Sequence, residues 1–144
     1  MAERKILLAS HSYLAKGLKE SAEFFLGKQE SMQAICAYLD SSDDYLKEIQ
    51  SFIDTAKEGE AIILTDIIGG SVNQQVVTMV ENSRKRIPII SSMNLPIVLA
   101  VALSTGLMNN QLATKLCQDC EPKVVCMNEF NVRDKEGDLD EFFE

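Results

Sequence analysis

The sequence has no tryptophan, and aromatic residues make up only 6% of its 144 residues. Aliphatic side chains and methionine must therefore fill the core, and they are abundant enough, since hydrophobic residues make up 46% of the chain. A chain of 144 residues is typical of one domain and is too short for two comfortable ones. We expect a single compact domain.

Positive charge is also scarce, because 14 Lys and Arg stand against 22 Asp and Glu, for a net charge of −8. The only basic run is Arg84-Lys85-Arg86. It lies where a helix is predicted to end, a position at which basic residues complement the helix dipole. Since nucleic-acid binding needs clustered basic residues, we predict no nucleic-acid partner.

Neither a membrane span nor a metal centre is predicted. The apolar stretch 87–107 is interrupted by Pro88, Asn94 and Pro96, which favours a strand, a loop and a helix over a span. Cys117 and Cys120 form a lone C-x-x-C without a second ligand pair, so we expect free thiols and no metal or other cofactor. Unpaired thiols and the lack of a targeting segment lead us to expect a cytoplasmic protein.

Short apolar runs alternate with segments of helical periodicity along the chain. Buried strands are predicted at residues 6–9, 32–37, 61–65 and 87–90, with a last short strand at 123–127. The helices between them are predicted to start at Ser42 or Asp43, Ser71 and Asn94, with a further helix at about 109–118. This order indicates the α/β class, with a mostly parallel sheet and helices on both faces.

In such a sheet the ligand site lies at the carboxyl ends of the strands. Three polar segments are predicted to meet there, namely Ser10-His11, Asp66 with Gly69-Gly70-Ser71, and residues 91–94. Each alone has an ordinary structural explanation, such as a turn or a cap. Together they favour a site built around His11, the only histidine of the chain.

The chemistry of these residues suits phosphoryl transfer. A neutral imidazole nitrogen is a nucleophile if the correct tautomer is held, and Asp66 is the best-placed carboxylate to hold it. The Gly69-Gly70-Ser71 turn is expected to offer free backbone N–H groups to phosphoryl oxygens at a helix N-terminus. No G-K-[ST] follows, so a bound nucleotide is not expected.

At these residues the sequence resembles mannose-family EIIA domains of the bacterial sugar phosphotransferase system. The resemblance covers about residues 3–128. It rests on three segments in order: Ile6-Leu7-Leu8-Ala9-Ser10-His11 with Leu14-Ala15-Lys16-Gly17-Leu18, then Leu64-Thr65-Asp66-Ile67-Ile68-Gly69-Gly70-Ser71, then Met93-Asn94-Leu95-Pro96. The chain departs from the family at Ser12-Tyr13 and Val72-Asn73, where Gly-Gly or Gly-x and Pro-x are common.

The resemblance implies a phosphoryl carrier over residues 1–128, followed by an acidic tail at 129–144. It implies that His11 takes the phosphoryl group from the phosphocarrier protein HPr and passes it to an EIIB histidine, oriented by Asp66. Ser10, Gly69, Gly70 and Ser71 would surround the phosphoryl group. It also implies a homodimer, in which the last strand is antiparallel and exchanged, and indirect association with the membrane components EIIC and EIID.

Other functions remain open at this stage. A response-regulator receiver would phosphorylate Asp66 but would need an acidic pair after the first strand, where Ser10-His11 stands. A flavin-binding module would need a phosphate loop at the same point. A relay domain of the same family that serves dihydroxyacetone kinase, or a regulatory domain that signals through phosphorylated His11, differs only in what receives the phosphoryl group.

Overall fold

Parallel strands form the centre of the fold. The structure is a computed structural model, which describes residues 4–41, 44–120 and 124–130. The four strands among these residues lie in the order β2-β1-β3-β4 and pair in parallel throughout. They are β1 (Lys5–His11), β2 (Met32–Ala37), β3 (Ala61–Thr65) and β4 (Ile89–Ile90). The prediction of a mostly parallel sheet is confirmed.

Five helices cover this sheet in the described part of the chain: α1 (Leu14–Leu26), α2 (Asp44–Thr55), α3 (Ser71–Ser83), α4 (Leu95–Leu103) and α5 (Asn110–Asp119). Helices α2 and α3 pack on one face, and α1, α4 and α5 pack on the other. The predicted arrangement of helices on both faces is therefore correct. None of these helices is long and apolar enough to cross a bilayer.

The two central strands contribute side chains to both faces because they are apolar along their length. Leu7 and Ile63 point into the core beneath α2 and α3, whereas Leu8 and Leu64 point into the core beneath α1 and α4. All four side chains are fully buried. Strand order reverses between β1 and β3, since the chain leaves β1 toward one edge of the sheet and leaves β3 toward the other. The carboxyl ends of these two strands therefore form the switch point at which such sheets bind ligands.

Two of the predicted helix starts can be compared with the structure. Asn94 caps α4 as predicted, because its side chain accepts a hydrogen bond from Ile97 N–H at 2.9 Å. The prediction that Ser71 caps α3 was wrong: the N-cap residue is Gly70, and Ser71 is already the first helical residue. Its hydroxyl is therefore free to turn away from the helix. Ser42 and Asp43 lie outside the described residues.

The basic run at the end of α3 interacts with a different helix from the one expected. Lys85 Nζ donates hydrogen bonds to the backbone carbonyls of Ile53, Asp54 and Ala56, at 2.7, 2.8 and 3.0 Å. These carbonyls lie at the C-terminal end of α2, where helices leave acceptors unsatisfied. The positive charge of Lys85 thus complements the dipole of α2 and joins it to the end of α3.

Predicted strands near the end of the chain are shorter than expected or missing. Strand β4 contains only Ile89 and Ile90, because Pro88 has no N–H for the ladder, although its carbonyl still accepts from Ile63 N–H at 3.0 Å. Residues 124–127 of the predicted last strand form no strand in the structure, and Val124 is 99% exposed. Lys123 lies outside the described residues, as does the predicted acidic tail apart from residues 129 and 130.

Candidate functional site

Strand β1 delivers His11 to the carboxyl edge of the sheet as its last residue, two residues further than predicted. Strand β3 ends beside it at Thr65, so that Asp66 is the first residue beyond the strand. The Asp66 carboxylate receives both the backbone N–H and the ring Nδ1 of His11 on Oδ2, each at 2.8 Å. The structure therefore brings His11 and Asp66 together as the sequence predicted.

This contact assigns the protonation pattern of the imidazole. An ionised carboxylate can only accept hydrogen bonds, so Nδ1 must carry the proton that it donates to Asp66. The lone pair of the neutral ring then lies on Nε2, which is on the opposite side of the ring from Asp66. The His11 side chain is 36% exposed while that of Asp66 is 6% exposed, so the nucleophilic nitrogen faces outward above a buried carboxylate.

Asp66 is kept ionised by its hydrogen bonds. Burial by itself raises the pKa of this carboxyl, but the backbone and ring N–H groups of His11, together with Ile67 N–H at 2.9 Å, outweigh burial. The net result is a pKa of Asp66 below its ordinary value of 3.8. At neutral pH the carboxylate is thus a fixed negative charge that holds Nδ1–H and stabilises any positive charge that develops on the ring.

The Gly69-Gly70 turn holds the end of α3 close to the imidazole. Gly69 has φ +76°, a backbone conformation that side chains disfavour. A Cβ on Gly70 would lie 3.2 Å from the carbonyl of Ile67 and 3.5 Å from Cε1 of His11. Glycine at this position therefore avoids a tight contact with the Ile67 carbonyl and lets the turn lie against the imidazole.

The N–H groups of the two glycines are not free, contrary to expectation. Gly69 N–H donates to Asn73 Oδ1 at 3.1 Å, and Gly70 N–H donates to the carbonyl of Ile67 at 3.0 Å. The first turn of α3 offers donors instead, since the backbone N–H groups of residues 71–73 have no acceptor among the residues that the structure describes. The backbone donors suited to an anion are therefore those of residues 71–73, and not those of Gly69 and Gly70 as predicted.

The Ser71 hydroxyl completes the surroundings of Nε2. Its Oγ lies 3.1 Å from His11 Nε2 and receives a hydrogen bond from the Tyr38 hydroxyl at 2.9 Å. The Tyr38 ring also stacks on the His11 ring, with centroids 5.4 Å apart and planes inclined by 24°. Tyr45, buried on α2, donates its hydroxyl proton to the Tyr38 hydroxyl at 3.2 Å.

The buried side chains of Thr65 and Asn73 and the partly buried side chain of Ser91 hold the turn in place. Asn73 Nδ2 donates to Ser91 Oγ at 2.5 Å and to Thr65 Oγ1 at 2.9 Å, while its Oδ1 receives the Gly69 N–H. The Thr65 and Ser91 hydroxyls lie 3.1 Å from each other. This network joins the ends of β3 and β4 to the first turn of α3. It fixes the position of the turn without reaching His11 itself.

Two of the expected segments support the site rather than line it. Ser10 is fully buried, and its Oγ accepts a hydrogen bond from Ala15 N–H at 2.8 Å, so that it stabilises the start of α1. The expectation that its side chain surrounds a phosphoryl group is not supported by this orientation. In the segment 91–94, Ser91 belongs to the buried network, whereas Asn94 caps α4.

The loops at this edge contain unusual backbone conformations. Ser12, Tyr38 and Ser92 have φ values of +53°, +65° and +58°, and each follows a strand end within two residues. Non-glycine residues adopt this left-handed region infrequently, at a cost of about 1–2 kcal/mol each. Such conformations persist where surrounding contacts determine them, often at functional sites.

Tyr38 and Asn73 were missed as site residues by sequence reasoning. For Tyr38 the available signal was its position, directly after a strand that was predicted to lie in the same sheet as β1. That position predicts a contact with His11 only when the strand register is known, because Ala37 pairs with His11 across the two strands. Asn73 was noted only as a departure from the usual family residue. Nothing in the sequence indicated that its amide would bridge two strand ends.

Known proteins resemble this chain in sequence and in fold. Residues 5–118 match the family model EIIA-man, described as "PTS system fructose IIA component". A solved structure from Klebsiella pneumoniae, provisionally described as a permease of the phosphoenolpyruvate-dependent sugar phosphotransferase system, is 26% identical, with a TM-score of 0.71. That match covers 89% of this chain and 93% of the other.

Two further solved structures share the fold. The PTS IIA protein associated with the fucose utilization operon of Streptococcus pneumoniae is 24% identical, with a TM-score of 0.71, covering 94% of this chain and 99% of that one. A sigma-54 interaction domain protein of Enterococcus faecalis is 18% identical, with a TM-score of 0.65, covering 81% and 90%. Proteins with different descriptions thus share this architecture, so the fold alone does not distinguish among them.

Proposed function

Because this chain belongs to the EIIA-man family, the IIA phosphotransferase components of the sugar phosphotransferase system, we propose that His11 is its phosphoryl carrier. In this proposal Nε2 of His11 accepts the phosphoryl group from phosphorylated HPr and passes it to a histidine of an EIIB partner. The observation that carries the proposal is the contact of Nδ1 with Asp66 at 2.8 Å, which leaves the Nε2 lone pair facing outward.

The transfer needs no proton to move on this chain. The Nε2 lone pair forms the new bond to phosphorus, while the electrons of the breaking P–N bond return to the donor's imidazole nitrogen. The proton on Nδ1 stays in its hydrogen bond with Asp66, whose negative charge offsets the positive charge gained by the ring. The reverse sequence on EIIB restores the neutral ring.

The first turn of α3 supplies hydrogen-bond donors for the phosphoryl oxygens. The Ser71 hydroxyl and the backbone N–H groups of residues 71–73 lie at the N-terminal end of this helix, where the dipole favours negative charge. Gly69 and Gly70 contribute their shape and not their N–H groups. Ser10 has no direct part in this proposal because its hydroxyl serves α1.

Exposed apolar side chains beside the site suit protein partners. Leu39, Ile67 and Ile68 are 46%, 60% and 72% exposed, and they lie in the loops that flank His11. A docking protein can bury such residues, whereas a small anion cannot. This surface supports HPr and EIIB as donor and acceptor, and through EIIB an indirect association with EIIC and EIID. A cytoplasmic location is part of this proposal.

Phosphorylation by enzyme I, HPr and phosphoenolpyruvate tests the proposal directly. Intact mass should show one phosphoryl group per chain, labile in acid and stable in alkali. His11→Gln should take up none, because His11 is the only histidine. Label that persists in His11→Gln would refute the assignment, and metal-dependent label on Asp66 would favour a receiver domain instead.

The identity of the acceptor needs a second experiment. Phosphorylated protein should lose its label rapidly to EIIB, and slowly or not at all to dihydroxyacetone kinase components. If no EIIB accepts the phosphoryl group, the proposed role in sugar uptake is wrong, and a relay for dihydroxyacetone kinase or a regulatory role takes its place.

We also propose a homodimer that uses the segment at 123–127. Strand β4 is the edge of the described sheet and pairs only with β3 there, which leaves its outer ladder groups available. Val124 and Met127 are 99% and 64% exposed, so this apolar segment makes little contact with its own chain. Light scattering should give about twice 16.0 kDa, and truncation after Glu121 should shift the mass toward the monomer. A monomeric full-length chain would exclude the dimer.

A further inference from the structure

Tyr38 stands out among the residues around His11 because its backbone is unfavourable and its burial is small. Its φ is +65°, which is unfavourable for a non-glycine residue, and it remains 53% exposed. Burial of the side chain therefore offsets little of the cost of this conformation. Besides its contacts with Tyr45, Tyr38 stacks on the His11 ring and donates a hydrogen bond to the Ser71 hydroxyl. The contacts with His11 and Ser71 lead to the same imidazole.

The directions of the hydrogen bonds follow from Asp66. Since Nδ1–H donates to the carboxylate, Nε2 can only accept, and Ser71 must donate its single hydroxyl proton to it. Ser71 Oγ then accepts from the Tyr38 hydroxyl, and the Tyr38 oxygen accepts from Tyr45. The chain of donors thus runs in one direction, from α2 to Nε2, and each bond strengthens the next.

From this geometry we infer that Tyr38 is a positioning residue for phosphoryl transfer, which acts on His11 through the Ser71 hydroxyl and through the stacked ring. The inference rests on the proposed role of His11. In the resting state Tyr38 keeps the Ser71 proton directed at Nε2. Once phosphorus occupies the Nε2 lone pair, that proton has no acceptor on the ring. The Ser71 hydroxyl then turns to a phosphoryl oxygen, still held by Tyr38.

The stacked ring has a separate consequence. It covers one face of the imidazole and limits the directions from which water can approach the phosphoryl group. An aromatic face also stabilises the positive charge that the ring gains when phosphorylated. Loss of the whole side chain should therefore shorten the lifetime of the phosphohistidine, whereas loss of the hydroxyl alone should not.

The test compares Tyr38→Phe and Tyr38→Ala in the full-length chain. Single-turnover transfer from phosphorylated HPr should slow about 5-fold in Tyr38→Phe, the effect of one neutral hydrogen bond. It should slow about 10- to 100-fold in Tyr38→Ala, with faster hydrolysis of the phosphohistidine. Tyr13→Phe is the matched control, because Tyr13 is 63% exposed near the site, and its rate should match wild type.

Two readouts separate positioning from packing. In a double-mutant cycle, Tyr38→Phe should have no further effect in a Ser71→Ala background, because the hydroxyl acts through Ser71. In the unphosphorylated protein, the ¹⁵N shift of His11 Nε2 should move toward that of an unbonded lone pair in Tyr38→Phe. The single histidine makes this signal unambiguous.

The outcomes distinguish this inference from the proposal on which it rests. If wild type accepts phosphoryl on His11 but Tyr38→Phe transfers at an unchanged or faster rate, the positioning role is wrong. An unchanged Nε2 shift in Tyr38→Phe also overturns it. If wild type accepts no phosphoryl group, the proposed function fails, while the ¹⁵N shifts still report whether Tyr38 and Ser71 control the ring.

Discussion

Replacing Asp66 with asparagine removes a negative charge but keeps the shape of the side chain. The carboxylate accepts three hydrogen bonds, two from His11 and one from Ile67. An amide has one accepting oxygen, so it satisfies only part of this set in either orientation. With the oxygen toward His11, the NH₂ group opposes Ile67 N–H. With the NH₂ group toward His11, it opposes the His11 backbone N–H and donates to Nδ1.

The second orientation forces the wrong tautomer, in which Nε2 carries the proton and cannot attack phosphorus. Because each orientation has one donor opposed to a donor, neither is strongly preferred, and both tautomers should be populated. Charge stabilisation of the ring is lost in both. We therefore expect transfer from HPr to slow between about 10²- and 10⁴-fold in Asp66→Asn, in the range seen when a tautomer-fixing carboxylate is neutralised.

The same substitution should lower the free energy of unfolding at neutral pH by about 2–3 kcal/mol. It loses one charge-assisted hydrogen bond and weakens two others, offset by the easier burial of a neutral amide. The pKa of Asp66 is lowered by folding, so its contribution is complete above the unfolded-state pKa of about 4 and disappears as pH falls through the lower folded value. The stability of Asp66→Asn should depend less on pH in this acidic range.

Single-turnover transfer, urea unfolding at several pH values and ¹⁵N spectra of the His11 ring measure these effects. Asp54→Asn is the control: its side chain accepts from Gln50 on the surface of α2, and both rate and stability should stay near wild type. A transfer rate unchanged in Asp66→Asn would remove Asp66 from the mechanism. A uniform tautomer in the variant would refute the explanation offered for the slower rate.

Two further substitutions test the support of the site. Asn73→Ala should lower the free energy of unfolding by about 2 kcal/mol and slow transfer about 3- to 10-fold, because it removes the side chain that joins Gly69 N–H to two strand ends. The exposed Asn82→Ala should be near neutral in urea unfolding, and equal effects would count against the network. Lys85→Met should lower the free energy of unfolding by about 1–2 kcal/mol, because the α2 carbonyls lose their cation. Lys47→Met, at an exposed position, should leave this free energy near wild type. An unchanged free energy of unfolding in Lys85→Met would contradict the capping role.

Periodicity was sufficient to predict the sheet and its helices because the buried strands and amphipathic helices have distinct patterns. The positions of His11 and Asp66 followed from that order, since the carboxyl ends of adjacent parallel strands share one edge. The destinations of individual hydrogen bonds did not follow. Ser10 could equally have faced the site or the start of α1, and only the path of the chain after His11 decides between these positions.

The remaining differences have the same physical origin. Ser71 is a preferred capping residue, but a one-residue shift of the helix start made its hydroxyl available to His11. Tyr38 required knowledge of strand register, and the N–H groups of the glycines were taken by a side chain four residues later and by a tight turn. The strand at 123–127 was predicted from an apolar pattern alone, and residues 124–127 form no strand in the structure.

The left-handed backbone at Ser12, Tyr38 and Ser92 also bears on how this protein could be stabilised by engineering. Glycine would relieve the local strain at each position, but it would also make the unfolded chain more flexible, so the net gain should be small. At Tyr38 that exchange would remove both groups that contact the imidazole and its serine. Attempts to raise the melting temperature should therefore target the exposed faces of α2 and α5, and should leave the strand exits with the side chains that they carry.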